Sequence, residues 1–198
     1  PVDRRQRQMC IRDSFEALGL REDLLRGIYA YGFERPSAIQ QRAIEPIVAG
    51  RDIIAQSQSG TGKTAVFCIG MLQVLNSATN ETQMLALSPT RELAEQIRSV
   101  LKPLADSRGL GVASVYGGVP YKGQLRRLNK GVEILVACPG RLIDLLQRDA
   151  LRLDDVGIVV LDEADRMADM GFMQPVCSIL DKCKQDRQTI LFSATLDE

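Results

Sequence analysis

The segment Asp52-Ile53-Ile54-Ala55-Gln56 runs directly into Ser57-Gln58-Ser59-Gly60-Thr61-Gly62-Lys63-Thr64 and then into the apolar stretch Ala65–Leu75. This is a short β-branched strand, a tight loop and a helix. The glycines let the loop backbone curl with its N–H groups pointing inward, as a polyphosphate requires. Lys63 would place a point charge on the β- and γ-phosphates, and the Thr64 hydroxyl would ligate Mg²⁺. The N-terminus of the following helix adds its own partial positive charge. A strict G-x-x-x-x-G-K-[ST] loop has glycine where Ser57 stands. A glycine turn capping a helix would share this composition, but Gly-x-Gly-Lys-Thr between strand and helix points to a phosphate-binding loop.

Similar apolar runs recur along the chain. Asp52–Gln56, Met84–Ser88, Val112–Tyr116, Ile134–Cys138, Gly157–Asp162 and Thr189–Ser193 read as near-continuous hydrophobic strands. That pattern is expected when both faces of a sheet are covered. Between them lie the helical stretches Ala65–Leu75, Arg91–Asp106, Lys122–Asn129, Arg141–Gln147 and Met173–Cys183. Two more, Glu22–Tyr31 and Ser37–Val48, precede the first strand and are separated at Gly32 and Pro36. Strands alternating with helices predict an α/β domain, a parallel sheet flanked by helices on both faces. Residues 1–14 are polar and aperiodic and are expected to form a solvated tail; residues 15–198 are expected to form one domain. Glu198 follows a strand where such a domain ordinarily adds a helix, so the domain reads as cut at its C-terminal end.

Composition narrows the chemistry. With 198 residues, 45% hydrophobic and 25% charged, the chain has globular proportions. No apolar run has the length of a membrane span and no signal peptide opens the sequence, so no membrane partner is expected. The 25 basic residues balance the 25 acidic ones, so contact with a nucleic acid must come from local features. Histidine is absent, which excludes histidine-based catalysis and most zinc chemistry. Five cysteines without C-x-x-C spacing fit reduced thiols in an intracellular protein, cytoplasmic or nuclear.

A phosphate-binding loop needs a carboxylate to hold Mg²⁺. The strand Gly157–Leu161 delivers Asp162-Glu163-Ala164-Asp165 at its carboxyl end, where ligands gather in parallel sheets. Asp162 would reach the Mg²⁺ coordination sphere, in part through water, and Glu163 would orient or deprotonate an attacking water. Lys63, Asp162 and Glu163 are therefore the candidate catalytic residues, with Thr64 and Asp162 toward the metal. An acidic helix start stabilised by the helix dipole is the plainer alternative for this tetrapeptide.

Together with Ser193-Ala194-Thr195, these motifs resemble the first RecA-like domain of the DEAD-box RNA helicase family. Gly32-Phe33-Glu34-Arg35-Pro36-Ser37-Ala38-Ile39-Gln40 resembles the family's Q motif, with Phe15 as its upstream aromatic. Pro89-Thr90-Arg91-Glu92-Leu93-Ala94 resembles motif Ia, Gly117-Gly118 the GG motif, and Cys138-Pro139-Gly140-Arg141 motif Ib. The resemblance spans about residues 14–198. Leu20–Thr64 is similar to the translation-initiation-factor and exon-junction branch, including Ser57. Val136–Arg141 and Asp165–Phe172 are more similar to bacterial members.

The resemblance implies ATP and Mg²⁺ as cofactors, bound by Phe15, Phe33, Arg35, Gln40, Ser59, Gly60, Thr61, Gly62, Lys63, Thr64 and Ala65. Gln40 would read adenine through its side-chain amide, with Phe33 or Phe15 stacked or packed nearby; Ser37-x-x-Gln40 is equally a capping box. Pro89, Thr90, Arg91, Gly117, Gly118, Pro139, Gly140 and Arg141 would hold single-stranded RNA, or one strand of a duplex, by its sugar–phosphate backbone. Cys138 stands where the family usually has threonine, losing a hydroxyl. Asp165, Ser193, Ala194 and Thr195 would couple nucleotide state to RNA, with the Ser193 and Thr195 hydroxyls bonding Asp165. The family's arginine fingers belong to a second RecA-like domain, so this chain alone is expected to bind nucleotide and hydrolyse it poorly. Regulatory proteins are further expected partners. A P-loop ATPase acting on DNA, and a non-catalytic nucleotide- or RNA-binding scaffold, are the alternatives.

Overall fold

The computed structural model describes residues 14–56 and 60–195. The tail expected over 1–14 lies outside these residues except for Ser14, as do Ser57, Gln58 and Ser59 of the loop. After a 3-10 turn at Glu16–Leu18 the helices are α1 (Glu22–Tyr31), α2 (Ala38–Val48), α3 (Lys63–Val74), α4 (Arg91–Ser107), α5 (Tyr121–Leu128), α6 (Pro139–Gln147), α7 (Ala164–Asp169) and α8 (Met173–Leu180). The strands are β1 (Ile53–Gln56), β2 (Met84–Leu87), β3 (Val112–Val115), β4 (Ile134–Ala137), β5 (Ile158–Leu161) and β6 (Gln188–Ser193).

The strands form one six-stranded sheet in the order β1-β6-β5-β2-β4-β3. Every adjacent pair is parallel, with Ile53 against Ile190, Met84 against both Ile134 and Ile158, and Val112 against Ile134. All six expected strands form. The fully buried Met84–Leu87, Val112–Val115 and Ile134–Ala137 show why these segments lack polar alternation.

Two cores cover the two faces. One joins α1–α4 to Ala86, Val136, Val160, Ile190 and Phe192; the other joins α5, α6, α7 and α8 to Leu85, Leu87, Leu135, Ala137, Val159 and Leu161. The alternation of neighbours such as Leu85 and Ala86 between these cores follows from the strand period of two. Helix α3 is apolar nearly all round and is buried from Lys63 through Leu72 except at Thr64, held between α2 and the sheet. Gly70 allows this approach: a Cβ there would lie 2.6 Å from Ile47 Cγ2. Burying side chains such as Phe67, Ile69 and Leu72 contributes about 1.5–3 kcal/mol each. That far exceeds the ~1 kcal/mol of a helix cap, so α3 is fixed by packing.

Several boundaries differ from the expected ones by one to three residues, among them α6, which begins at Pro139 in place of Arg141, and α8, which ends at Leu180 in place of Cys183. Helix α3 begins at Lys63, two residues before the expected Ala65, because Gly62 itself is the N-cap, at φ 88°. Residues Ala164–Asp169 form a separate short helix ahead of α8, ended at Gly171 with φ 76°. Among the described residues no helix is long and apolar enough to cross a membrane. The cysteines Cys68, Cys138, Cys177 and Cys183 are unpaired thiols.

Candidate functional site

All the motifs from the glycine loop onward sit at the carboxyl ends of the strands, and the strand order sorts them; the Gly32–Gln40 segment precedes β1, between α1 and α2. The loop after β1, Ser193–Thr195 after β6 and Asp162–Asp165 after β5 fall on three neighbouring strands. Pro89–Arg91 after β2, Cys138–Arg141 after β4 and Tyr116–Pro120 after β3 fall on the other three. The motifs expected to face nucleotide and those expected to face RNA thus occupy adjoining halves of one edge.

In the first half, Gly60 and Gly62 have φ of 85° and 88°, a backbone region that side chains with a Cβ rarely adopt. A Cβ on Gly62 would also sit 3.1 Å from Gln40 Nε2. Lys63 is 8% exposed and Asp162 6% exposed, and among the described residues Lys63 Nζ and Asp162 Oδ1 have no hydrogen-bond partner. Burial, opposed by the Lys63 ammonium and aided by the Glu163 carboxylate, pushes the Asp162 carboxyl up to about 6. Two buried, orphaned polar atoms of opposite charge are costly unless something satisfies them. A phosphate for Lys63 and a divalent cation for Asp162 would do so. Among the described residues no cluster of three or more Asp, Glu, Cys or His is built to hold a metal by itself. Mg²⁺ held by one carboxylate, the half-buried Thr64 hydroxyl and substrate phosphates fits this donor set.

Glu163 carries the backbone strain of the site. It has φ 53° and ψ 53°, left-handed for a residue with a full side chain, and its Oε2 accepts from Arg166 Nη1 at 3.3 Å. Such strain costs on the order of 1–3 kcal/mol and clusters at functional sites. Here it turns the chain from β5 into α7 within one residue.

Asp165 reaches across to the end of β6. Its Oδ2 accepts from the Ala194 N–H at 3.1 Å, and from the Thr195 N–H and Thr195 Oγ1 at 3.0 Å each. Partial desolvation would raise this carboxyl, but the Thr195 and Arg166 N–H groups and the Thr195 and Ser193 hydroxyls hold it at about 2. The expected Thr195 contact is therefore present, and the two backbone donors were not legible in the sequence. Ser193 Oγ donates to the Thr195 carbonyl, closing the turn that presents those donors.

The adenine-side residues divide. Gln40 is 4% exposed and its Oε1 accepts from the Ser37 N–H at 2.8 Å, so the capping box forms. Its Nε2 lies toward Gly62, which places the amide against the phosphate loop in the same conformation. Phe15, expected to stack or pack near the base-reading residues, is fully buried and packs edge-on against Tyr29 at 6.2 Å and tilted against Phe33 at 6.3 Å. It supports Phe33, which is half-buried and retains a face to offer; Arg35 is exposed. Ala65 is buried in α3, Thr61 is exposed, and Ser59 lies outside the described residues.

In the second half, Thr90 caps α4, its side chain accepting from the Leu93 N–H at 3.3 Å. Arg91 is exposed with its guanidinium 5.1 Å from the Tyr116 ring centroid. Gly117, Gly118 and Gly140 are exposed, and Pro139 is buried at the start of α6. Cys138 is the N-cap of α6 and caps nothing with its side chain; burial, aided by Glu92, pushes its thiol up to about 11. Arg141 is more engaged than its motif suggested. It donates to the Val119 carbonyl at 3.1 Å and to Gln124 Oε1 at 3.3 Å, and lies 4.2 Å from the Tyr121 ring centroid. Gln124 is buried and also donates to the Tyr116 carbonyl at 2.9 Å. Gln124 and Tyr121 thus fix the Gly117–Pro120 loop against α6. Their only sequence signal was a glutamine on the apolar side of an otherwise basic helix.

The model of the DEAD/DEAH box helicase family matches residues 37–198. Eukaryotic initiation factor 4A-1 of Arabidopsis thaliana is 49% identical over 186 residues, spanning 94% of this chain and 45% of that protein. The ATP-dependent RNA helicase FAL1 of Mycosarcoma maydis is 48% identical over 188 residues, spanning 95% of this chain and 47% of that protein. The chain therefore spans about half the length of the curated relatives it matches. Among solved structures, the crystal structure of a DEAD box protein from the hyperthermophile Methanococcus jannaschii superposes with a TM-score of 0.88 at 37% identity, covering 93% of this chain and 51% of that one.

Proposed function

The chain belongs to the DEAD/DEAH box helicase family, and from that premise we propose that it is the ATP- and Mg²⁺-binding RecA-like domain of an RNA-dependent ATPase that unwinds RNA locally. The observation that carries this reading is the pair of buried, unpartnered atoms Lys63 Nζ and Asp162 Oδ1 beside the glycine loop.

The chain's own residues divide the work. N–H groups of the Gly60–Thr64 loop and the Lys63 ammonium bind and orient the β- and γ-phosphates. Thr64 and Asp162 would hold Mg²⁺, which would supply charge neutralisation at the phosphates. Glu163 holds the attacking water in line and takes its proton as the oxygen bonds to phosphorus and ADP leaves. Gln40 selects adenine with its Nε2 donor and the second lone pair of Oε1. Asp165 and Thr195 link the β5 and β6 ends, so a shift at the nucleotide is carried toward the RNA half.

RNA is held by its backbone, by Pro89, Thr90 and Arg91, by Gly117 and Gly118, and by Pro139, Gly140 and Arg141, without base readout. A second RecA-like domain in the whole protein supplies the remaining charge for turnover and closes over ATP and RNA. The reduced thiols fit an intracellular location, cytoplasmic or nuclear. The test is nucleotide hydrolysis with and without single-stranded RNA or DNA. This chain alone binds Mg-ADP and turns over ATP slowly; joined to a second domain it is stimulated by RNA and not by DNA. Robust RNA-stimulated hydrolysis by the isolated chain, or stimulation by DNA alone, would contradict it.

A further inference from the structure

Helix α5 follows directly from Gly117-Gly118-Val119-Pro120, and its sequence Tyr121-Lys122-Gly123-Gln124-Leu125-Arg126-Arg127-Leu128 contains three cations and no acid, with Lys130 just beyond. At about 100° per residue, Lys122, Arg126, Lys130 and Arg127 fall on one arc of about 140°. Opposite that arc lie Tyr121, Gln124, Leu125 and Leu128, which face the protein. All four cations are exposed, and among the described residues none of them forms an ion pair or a hydrogen bond through its side chain. In a chain of zero net charge this is a local concentration of positive potential.

The helix dipole accounts for only part of it. Arg126 and Arg127 in the last turn complement the C-terminal end of the dipole, but Lys122 stands in the first turn, where a cation is unfavourable. The polar anchor fixes where the face looks. Gln124 ties α5 to the Tyr116 carbonyl at the end of β3, and Tyr121 lies under Arg141. The basic face therefore begins at the Gly117–Gly118 loop and runs down the outside of the β3 edge.

We infer that the outer face of α5 is a second RNA-backbone site, on which phosphates of a single strand leaving the Gly117–Gly118 loop pair with Lys122, Arg126 and Arg127. The inference rests on the reading of that loop as RNA-facing. The contacts are charge to charge and independent of sequence, so they contribute chiefly to the salt dependence of binding.

The experiment is titration of the chain with a fluorescent single-stranded RNA across a range of salt concentrations, for the wild type and for K122Q/R126Q/R127Q. Three lost phosphate contacts flatten the slope of log K against log salt by about 2, at ~0.7 per contact on a single strand. Affinity for Mg-ADP and the melting temperature stay unchanged. The charge-preserving K122R/R126K/R127K restores the slope, whereas R152Q/K182Q, remote cations, leaves it as in the wild type. An unchanged slope in the triple glutamine variant, an equal loss in R152Q/K182Q, or binding of acidic protein in place of RNA overturns the inference and leaves the RNA reading standing. A wild type that binds no RNA at any salt concentration overturns both.

Discussion

The Lys63 ammonium and the Asp162 carboxylate are both buried and feel each other's charge, yet they do not close into an ion pair, and one polar atom of each is left without a hydrogen bond. A direct pair would satisfy the protein alone. Held apart, each is placed to pair with a ligand of opposite charge, a phosphate for Lys63 and a cation for Asp162 in the proposed reading, and that pairing would add stability on binding.

Removing the lysine should therefore separate binding from stability. Lys63→Ala loses a charge-assisted contact of about 1.5–3 kcal/mol, a fall in Mg-ADP affinity of about 10- to 150-fold. The unliganded fold loses little, because the ammonium has no partner to abandon. Calorimetric titration beside thermal melting checks this; a variant that unfolds early but binds normally would place Lys63 in the core's economy and not in the site.

Binding should depend on pH through Asp162. Its carboxyl stands at about 6 in the unliganded fold, raised from 3.8 chiefly by burial. A raised carboxyl makes the fold bind more protons than the unfolded chain between those values. Stability is then highest below pH 4 and falls as pH rises through 6, by up to about 3 kcal/mol from this group. Mg-ADP needs the charged form, so its affinity rises from pH 5 to pH 7 with release of a proton. Asp162→Asn should flatten both profiles, as titration in buffers of different ionisation enthalpy would show.

Asp165 works in the opposite direction. Its carboxyl is held at about 2 against an ordinary 3.8 by the donors at Thr195 and its neighbours. The stability this gives is present above pH 3.8 and is lost as pH falls through 2. Asp165→Asn should lower the melting temperature at pH 7 and narrow its difference from wild type as the pH is brought down to 2. Thr195→Val, removing one of the three donors to Oδ2, should cost about 1 kcal/mol.

The unmade cap at Cys138 is correctable. Cys138 has extended backbone at the N-cap of α6, φ −91° and ψ 137°, and no side-chain cap bond. Cys138→Thr supplies a hydroxyl to the first-turn N–H groups and should stabilise the chain by about 0.5–2 kcal/mol, read as a higher urea midpoint at unchanged slope. No shift in midpoint would mean that those N–H groups are already satisfied.

What the sequence disclosed was whatever local chemistry dictates. The apolar runs Met84–Ser88 and Gly157–Asp162 were legible as buried strands, whereas Asp52–Gln56 looked the same in the letters and yet leaves Ile54 exposed; the glycines before Lys63 were legible as a tight turn. The partners of Asp165 were half legible, since a threonine hydroxyl is visible in the letters while the Ala194 and Thr195 N–H groups depend on a turn. Whether Phe15 or Phe33 lies beneath the other was not legible, because aromatic residues near a motif look alike until packing shows which one is wholly buried. Gln124 was not singled out, and the bonds of Arg141 to Val119 and Gln124 were not legible, because they join segments that the β3–β4 pairing brings together.

Adenine-nucleotide binding at the Lys63–Asp162 gap is decided by calorimetric titration of the chain with Mg-ADP and Mg-GDP, on wild type and Gln40→Ala. The wild type is expected to show a clear preference for ADP that disappears in a Gln40→Ala variant shown to be folded by its melt. Equal affinity for the two nucleotides, or no binding of either by the folded wild type, would contradict it.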